Sequence, residues 1–191
     1  VETDAAESHV EAINVKAQAL ADVSEKVSAV RSLLDEGYPD DTAIDAGQLA
    51  DSAAETYREQ YPGATIHTQT QPDANAEVTA DERVEIALEE LIENAIVHND
   101  QPEPQVTVTV DAEPHDDGDW VDIVVADNGP GIPTHEQVMV ESERETPLEH
   151  GSGLALWIVY WTASLFGGEI KINDRSPRGA RVTLRLPQAT P

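Results

Sequence analysis

Residues 79–95 read TADERVEIALEELIENA, and this stretch predicts the helix around which the domain is built. Its apolar residues recur at spacings of three and four, as they do along a helix with one buried face. They are Val84, Ala87, Leu88, Leu91, Ile92 and Ala95. Thr79, with Glu82 three residues later, resembles a capping box, so we expect the helix to begin at this point.

Two polar residues of this helix, Glu90 and Asn94, are four positions apart and therefore point the same way. Leu91 and Ile92 belong to the buried side of the helix, so we expect the side chains of Glu90 and Asn94 to face a cleft. Considered alone, the two residues are better explained by a solvated helix surface. Two later segments favour a functional site.

The second segment is Asp-Asn-Gly-Pro-Gly-Ile at residues 127–132, directly after a predicted strand in which Val121, Ile123 and Val125 alternate. An acidic residue at the end of a strand, followed by two glycines, allows a flat ligand to approach the backbone closely. Considered alone, Asp127 is more readily a turn residue.

The third segment is His-Gly-Ser-Gly-Leu at residues 150–154, and it opens a predicted helix that runs to Phe166. Backbone N–H groups and the helix dipole bind phosphate at such helix starts. A glycine pair alone is weak evidence. The three segments together predict one site, and their combination is far more specific than any one of them.

The remaining pattern is typical of an α+β fold. Val106, Val108 and Val110 alternate with threonines and predict a hairpin with the strand at residues 121–125, around a turn at residues 114–119. We expect a two-layer α/β sandwich with helices on one face of a mixed sheet. A helix after Ile44 and strands at residues 64–70, 169–173 and 180–186 complete the prediction.

A long amphipathic helix is predicted at residues 7–36, because its apolar residues also recur at spacings of three and four. The stretch Gly-Tyr-Pro-Asp at residues 37–40 ends it. We therefore predict two parts, a long helix at residues 1–37 and a folded domain at residues 42–188.

The chain is strongly acidic, with 38 acidic and 11 basic residues, and its net charge of −27 is spread along the sequence. Concentrated salt screens such self-repulsion over a few ångströms, so we predict a halophilic protein rather than an acidic mesophilic one. Only Lys16, Lys26 and Lys171 are lysines, which supports this prediction. An acidic surface also disfavours nucleic acid and anionic membranes as partners.

The chain contains no cysteine, which excludes disulfides and thiolate metal sites. The sequence shows neither a signal peptide nor a membrane-spanning run, so we expect this segment to be cytoplasmic. The chain opens with Val1 and not with Met. We expect it to be a piece of a longer protein, whose other parts are free to attach it to a membrane.

Taken together, the three segments resemble the nucleotide-binding boxes of the Bergerat-fold ATPases, which include gyrase, mismatch-repair ATPases, the ninety-kilodalton heat-shock chaperones and histidine kinases. The resemblance covers roughly Asp45 to Pro187 and implies a mostly antiparallel sheet. Residues 151–156, 166–169 and 179–187 resemble the histidine kinases in particular. The resemblance implies an ATP-dependent protein-histidine kinase whose phosphate passes to the receiver domain of a response regulator.

The resemblance also implies roles for individual residues. Asn94 would hold a Mg²⁺ ion that bridges the phosphates of ATP, and Asp127 would accept a hydrogen bond from the adenine amino group. The adenine pocket would be lined by Gly129, Gly131 and Ile132.

At the other end of the nucleotide, Arg144 would reach the phosphates from the lid, and Thr183 would help to hold the adenine through water. The phosphates would be wrapped by Gly151, Ser152, Gly153 and Leu154.

Glu90 leaves the reaction open. Histidine kinases often carry Asn at this position, whereas the gyrase-like ATPases carry a Glu that activates water, and a catalytic carboxylate at residue 90 suits either reaction. Val97 stands where the kinases often place a basic residue. The alternatives to a kinase are therefore an ATPase of gyrase or repair type and a degenerate nucleotide-binding regulator.

The helix at residues 7–36 resembles the second helix of the hairpin that dimerises histidine kinases and carries the phosphorylated His. This resemblance implies a homodimer in the full-length protein. His9 lacks the acidic residue and the proline that follow an accepting His. We expect the accepting helix to be missing from this chain, which would bind ATP but would need a supplied acceptor.

Overall fold

The computed structural model describes residues 42–71, 76–115, 118–141 and 154–189. The predicted long helix with His9, the lid residue Arg144, and the segment from His150 to Gly153 lie outside the described residues.

The fold is built on a sheet of five strands, which are β2 (Thr65–Thr70), β4 (Gln105–His115), β5 (Gly118–Asp127), β6 (Glu169–Asp174) and β7 (Ala180–Pro187). Their order across the sheet is β2-β4-β5-β7-β6. Strand β2 is parallel to β4, and the other three pairs are antiparallel. This sheet confirms the predicted mixed, mostly antiparallel arrangement.

Helices pack on one face of this sheet, which confirms the two-layer α/β sandwich. Helix α1 (Ala46–Gln60) contacts β2 and β4, α2 (Arg83–Val97) contacts β4 and β5, and α4 (Leu154–Leu165) contacts β6 and β7. The alternating valines of β4 are fully buried beneath them, as is Ile123 of β5. Within the described residues, no helix is long and apolar enough to cross a membrane.

Two short strands that the sequence pattern did not predict, β1 (Ala43–Asp45) and β3 (Glu77–Thr79), form a separate antiparallel pair. They correct the predicted helix start. Thr79 pairs with Ala43 in this ladder, so it cannot cap a helix, and α2 begins at Arg83. Asp81 takes over part of the role, since its Oδ1 accepts a hydrogen bond from the Arg83 backbone N–H at 3.0 Å.

The hairpin of β4 and β5 is longer than predicted. Pro114 pairs with Asp119 and His115 pairs with Gly118, so the ladder extends into the predicted turn at residues 114–119. Backbone pairing continues past the last buried valine because it needs no apolar side chain. Similarly, the polar segment after Asp127 contains a helix, α3 (Thr134–Glu141), that apolar periodicity did not reveal.

A buried arginine at the start of α2, Arg83, pairs with Asp81 and packs on Phe166, the residue after α4. Arg83 is 3% exposed, and its guanidinium donates to both carboxylate oxygens of Asp81 while lying 5.6 Å from the ring centre of Phe166. The hydrogen bonds from Arg83 lower the pKa of Asp81. Because the Arg83 guanidinium is paired with Asp81 and lies over the ring of Phe166, the two helices pack without leaving an unpaired buried cation.

Gly168 offers a test of how closely the elements pack. A Cβ added there would lie 2.1 Å from the carbonyl oxygen of Arg185 in β7. We expect Gly168→Ala to lower the free energy of unfolding by about 1–3 kcal/mol, measured by urea unfolding in concentrated KCl. Gly63→Ala is the matched control, since a Cβ there meets nothing within 4 Å. Equal stability of the two variants would contradict the packing described.

Candidate functional site

A cavity of about 240 Å³ lies between the C-terminal half of α2, the end of β5, the loop after it and β7. Among the described residues, the polar side chains that line it are Asn94, His98, Asn99, Asp127 and Glu136. Its remaining lining residues are apolar side chains and loop residues, namely Leu91, Ala95, Val125, Pro130, Gly131, Ile132, Pro133 and Val182. The cavity therefore has apolar walls and a few polar groups, as ligand pockets commonly do.

Helix α2 presents Asn94 and His98 to this cavity, because residues four apart lie on the same helix face. Glu90, one turn earlier, does not line it. Burial raises the pKa of Tyr57 in α1 and of Glu89, and the nearby charge of Glu90 adds to both effects. Glu90 and Asn94 were expected to face one cleft, but only Asn94 lines the cavity.

Asp127 is the last residue of β5, as predicted, and its half-buried carboxylate lines the cavity. One oxygen accepts a hydrogen bond from the Gly129 N–H at 2.6 Å, and the other accepts one from the Ala180 N–H at 3.3 Å. Burial raises the pKa of Asp127, against the opposing effect of these hydrogen bonds and of Arg175. The carboxylate keeps further acceptor capacity for a ligand in the cavity.

Gly129 and Gly131, the two glycines after Asp127, have different roles. Gly131 has a φ of 87° and lines the cavity, where backbone in this conformation favours glycine. Gly129 is buried and does not line the cavity, and its N–H fixes the Asp127 carboxylate. The predicted contact of Gly129 with a ligand is therefore replaced by a backbone role, while Ile132 lies on the cavity wall.

The turn between β6 and β7 packs closely against the loop after β5. Gly179 has a φ of 109°, and a Cβ there would lie 2.0 Å from the carbonyl oxygen of Asp127. Arg175 donates to the same carbonyl oxygen at 2.9 Å, and Arg178 donates to the carbonyl oxygen of Gly129 at 2.9 Å. The loop after β5 is thus held from the β7 side.

Asn128 holds the loop from the opposite side. Its side-chain oxygen accepts hydrogen bonds from Asn99 Nδ2 and from the Gln105 backbone N–H, both at 2.9 Å, and its amide donates to the Glu103 carbonyl at 3.2 Å. Because every polar atom of the Asn128 amide is used, the segment after α2 and the loop after β5 are fixed to each other.

The structure places Thr183 away from the cavity. Val182 lines the cavity, and successive side chains of a strand point to opposite faces, so Thr183 lies on the other face of β7. This corrects the prediction that Thr183 helps to hold the adenine. Ala180, whose N–H donates to Asp127, is the β7 residue that contacts this carboxylate. Leu154 begins α4 and does not line the cavity.

Three residues that line the cavity, His98, Asn99 and Glu136, were not predicted as site residues from the sequence. His98 does form the C-cap of α2, but it also lines the cavity. Its spacing of four residues from Asn94 is the sequence signal that could have identified it. Asn99 and Glu136 carried no comparable signal, because their places depend on the loop after β5 and on α3.

The described lining is acidic. It contains Asp127 and Glu136 but, among the described residues, neither lysine nor arginine. Nor do the described residues include a group of three or more His, Cys, Asp or Glu that could hold a metal ion. The described part of the lining therefore offers an anionic ligand no cationic side chain.

Over residues 79–190, the sequence matches the family described as histidine kinase-, DNA gyrase B- and HSP90-like ATPase. AfsQ2, a signal transduction histidine-protein kinase of Streptomyces coelicolor, is 38% identical over 113 residues, which cover 56% of this chain and 19% of AfsQ2. The sensor-type histidine kinase PrrB of Mycobacterium tuberculosis is 30% identical over 151 residues, which cover 78% of this chain and 32% of PrrB.

The crystal structure of the ATP binding domain of PrrB from Mycobacterium tuberculosis has a TM-score of 0.59 to this chain at 27% identity, covering 79% of this chain and 100% of that domain. This chain spans 19% of the length of AfsQ2 and 32% of the length of PrrB. The family match includes Asn94, Asp127 and the turn before β7, and it extends over more than half of the sequence. The chain belongs to the histidine kinase-, DNA gyrase B- and HSP90-like ATPase family.

Proposed function

We propose that this chain is the ATP-binding catalytic domain of a two-component sensor histidine kinase, which transfers the γ-phosphate of ATP to a histidine for relay to a response regulator. The observation that carries the proposal is the half-buried Asp127 carboxylate, which lies in an apolar-walled cavity that Asn94 also lines. The likeness to the ATP binding domain of PrrB supports ATP as the nucleotide.

Asp127 supplies the recognition of adenine. Its carboxylate is an acceptor only, and the adenine amino group is a donor, whereas guanine presents a carbonyl oxygen in the corresponding place. Val125, Ile132 and Val182 give the base an apolar surface on which to pack. The backbone bonds from Gly129 and Ala180 fix the direction in which the carboxylate points.

Asn94 suits a magnesium ion that is shared with the phosphates. Mg²⁺ usually binds one or two protein oxygens, keeps several waters and completes its coordination with phosphate oxygens. An amide oxygen in a cavity without lysine or arginine among its described lining fits that pattern. When bound, the ion would neutralise phosphate charge during transfer. Asn94 would orient the phosphates relative to α2.

Transfer to a histidine is favoured over hydrolysis by the likeness to histidine kinases, whereas Glu90 would suit either reaction. Water and an accepting imidazole both attack the γ-phosphate, and Glu90 lies outside the described lining of the cavity. We assign Glu90 to the acceptor side, where it would polarise an incoming imidazole. Residues 151–153 and Arg144 would contact the phosphates.

The long helix at residues 1–37 would be the second helix of a dimerising hairpin, joined to the ATP-binding domain at residues 42–188. The full-length protein would then be a homodimer, with its accepting His on a helix outside this chain and a receiver domain as its partner. We place this domain in the cytoplasm of a halophile.

Asp127→Asn tests adenine recognition. The new amide adds a donor where an acceptor is needed, so we expect ATP affinity to fall by about 10-fold or more and the preference for ATP over GTP to shrink. Calorimetry with the Mg²⁺ complexes of both nucleotides measures this. Asp119→Asn, at the far end of β5, is the control. An unchanged ATP-to-GTP ratio would remove Asp127 from this role.

The same position predicts a pH dependence. Because burial raises the pKa of Asp127, its carboxyl takes up a proton at a higher pH than an ordinary aspartate does. ATP affinity of the unaltered protein is expected to decrease as the pH falls through that raised pKa, whereas Asp127→Asn should lack this dependence.

Asn94→Ala tests the metal and the reaction together. We expect the variant to lose Mg²⁺-dependent ATP affinity by about 10-fold or more and to lose transfer of labelled phosphate to a supplied acceptor hairpin. Asn94→Asp should retain part of the ATP affinity and part of the phosphate transfer. The control is Asn173→Ala, at an exposed position on β6, which should retain the full ATP affinity and the full transfer. Release of phosphate to water alone would indicate the ATPase, and a folded protein without ATP binding would indicate a degenerate regulator.

Salt dependence tests the halophilic origin. Raising KCl from about 0.1 M to about 1 M shortens the screening length from ~10 Å to ~3 Å. Because the net charge is −27, we expect the free energy of unfolding to rise by at least about 1 kcal/mol, or Tm by roughly 2–4 °C. A variant with Asp51→Asn and Glu59→Gln, both exposed on α1, should depend less on salt. Salt-independent stability would contradict this origin.

A further inference from the structure

Arg178, in the turn between β6 and β7, contacts two separate parts of the cavity rim. Its Nε donates to the carbonyl oxygen of Gly129 at 2.9 Å, two residues after Asp127. Its Nη2 forms an ion pair with Asp100, two residues beyond the C-cap of α2. One guanidinium therefore bridges the loop that carries the adenine acceptor and the end of the helix that carries Asn94.

We propose that Arg178 is a positioning residue that sets the geometry of the adenine-binding loop relative to α2, and so contributes to the selectivity for adenine. This inference rests on the proposed function, because it concerns how Asp127 is placed toward ATP. Arg178 itself does not line the cavity and acts through Gly129 and Asp100.

The chemistry of the guanidinium suits this role. Its donors are fixed in one plane, so it binds a carbonyl oxygen and a carboxylate at the same time, whereas an ammonium group is a single point of charge. Nothing in the local chain would bring these groups together, since Arg178 is 49 residues from Gly129 and 78 residues from Asp100.

The exposure of the pair argues against a role in overall stability. The side chains of Arg178 and Asp100 are 46% and 51% exposed, and ion pairs of that kind contribute little to folding. The loop is also held by hydrogen bonds from Arg175 to the Asp127 carbonyl and from Asn99 to the side chain of Asn128. Loss of Arg178 is therefore expected to leave the domain folded while loosening the direction of the Asp127 carboxylate.

The test compares Arg178→Gln with Arg178→Lys and with Arg181→Gln, an exposed arginine of β7 that does not line the cavity. Calorimetry measures the affinities for MgATP and MgGTP, and thermal unfolding measures stability. We expect Arg178→Gln to weaken ATP binding about 3- to 10-fold and to lower the ATP-to-GTP ratio, with little change in Tm, because small misplacement of a binding group is costly. The Lys variant should recover only part of the loss, and Arg181→Gln should resemble the unaltered protein.

Repeating the comparison in about 1 M KCl separates hydrogen-bond geometry from charge, since screening weakens the ion pair and leaves the bond to Gly129. The selectivity loss of Arg178→Gln should persist there. An unchanged ATP-to-GTP ratio in Arg178→Gln, or equal losses of ATP and GTP binding together with a lower Tm, would overturn the proposal. Failure of the unaltered protein to bind ATP would instead overturn the proposed function.

Discussion

The close approach of Gly179 to the carbonyl group of Asp127 is the constraint on which the site depends. No side chain fits at residue 179, since a Cβ would lie 2.0 Å from that oxygen. The approach lets the Ala180 N–H reach the Asp127 carboxylate and lets Arg175 and Arg178 reach the loop carbonyls. The sheet thus provides a carboxylate whose direction is set by backbone groups of a neighbouring strand.

The charge of the cavity is the second property that shapes its chemistry. A nucleotide carries several negative charges, and the described lining adds Asp127 and Glu136 without an opposing lysine or arginine. Val97, where kinases often have a basic residue, is 54% exposed and does not line the cavity. The described part of the lining therefore offers the base of a nucleotide a polar acceptor and apolar walls, but it offers the phosphates no cationic side chain.

The sequence predicted the parts of this site that follow from local periodicity. The helix that carries Asn94 and the strand that ends at Asp127 both follow from the spacing of apolar residues, and the structure has both. The predicted start of α2 was wrong because Thr79 is paired with Ala43, 36 positions away in the chain and invisible to a local pattern. Thr183 was misplaced for a related reason, since the face to which a strand residue points depends on the pairing register.

The contacts that hold the site together were beyond the reach of local patterns. Asn128 and Arg178 carry no motif that identifies their partners, and both act over long separations in sequence. Their roles emerge only when β5, β7 and the end of α2 are brought together. Local rules thus gave the chemical groups of the site, while tertiary pairing decides which of them meet.

The pairing of β5 with β7 has a consequence for the order in which the chain folds. The hairpin of β4 with β5 and that of β6 with β7 join neighbours in sequence, so each can form early, whereas β5 and β7 meet across a separation of 53 residues at Asp127 and Ala180. Closing that long loop costs more entropy and is slower. A partly folded chain with both hairpins formed would still lack the cavity, so a bound nucleotide stabilises only the species in which this last ladder has closed.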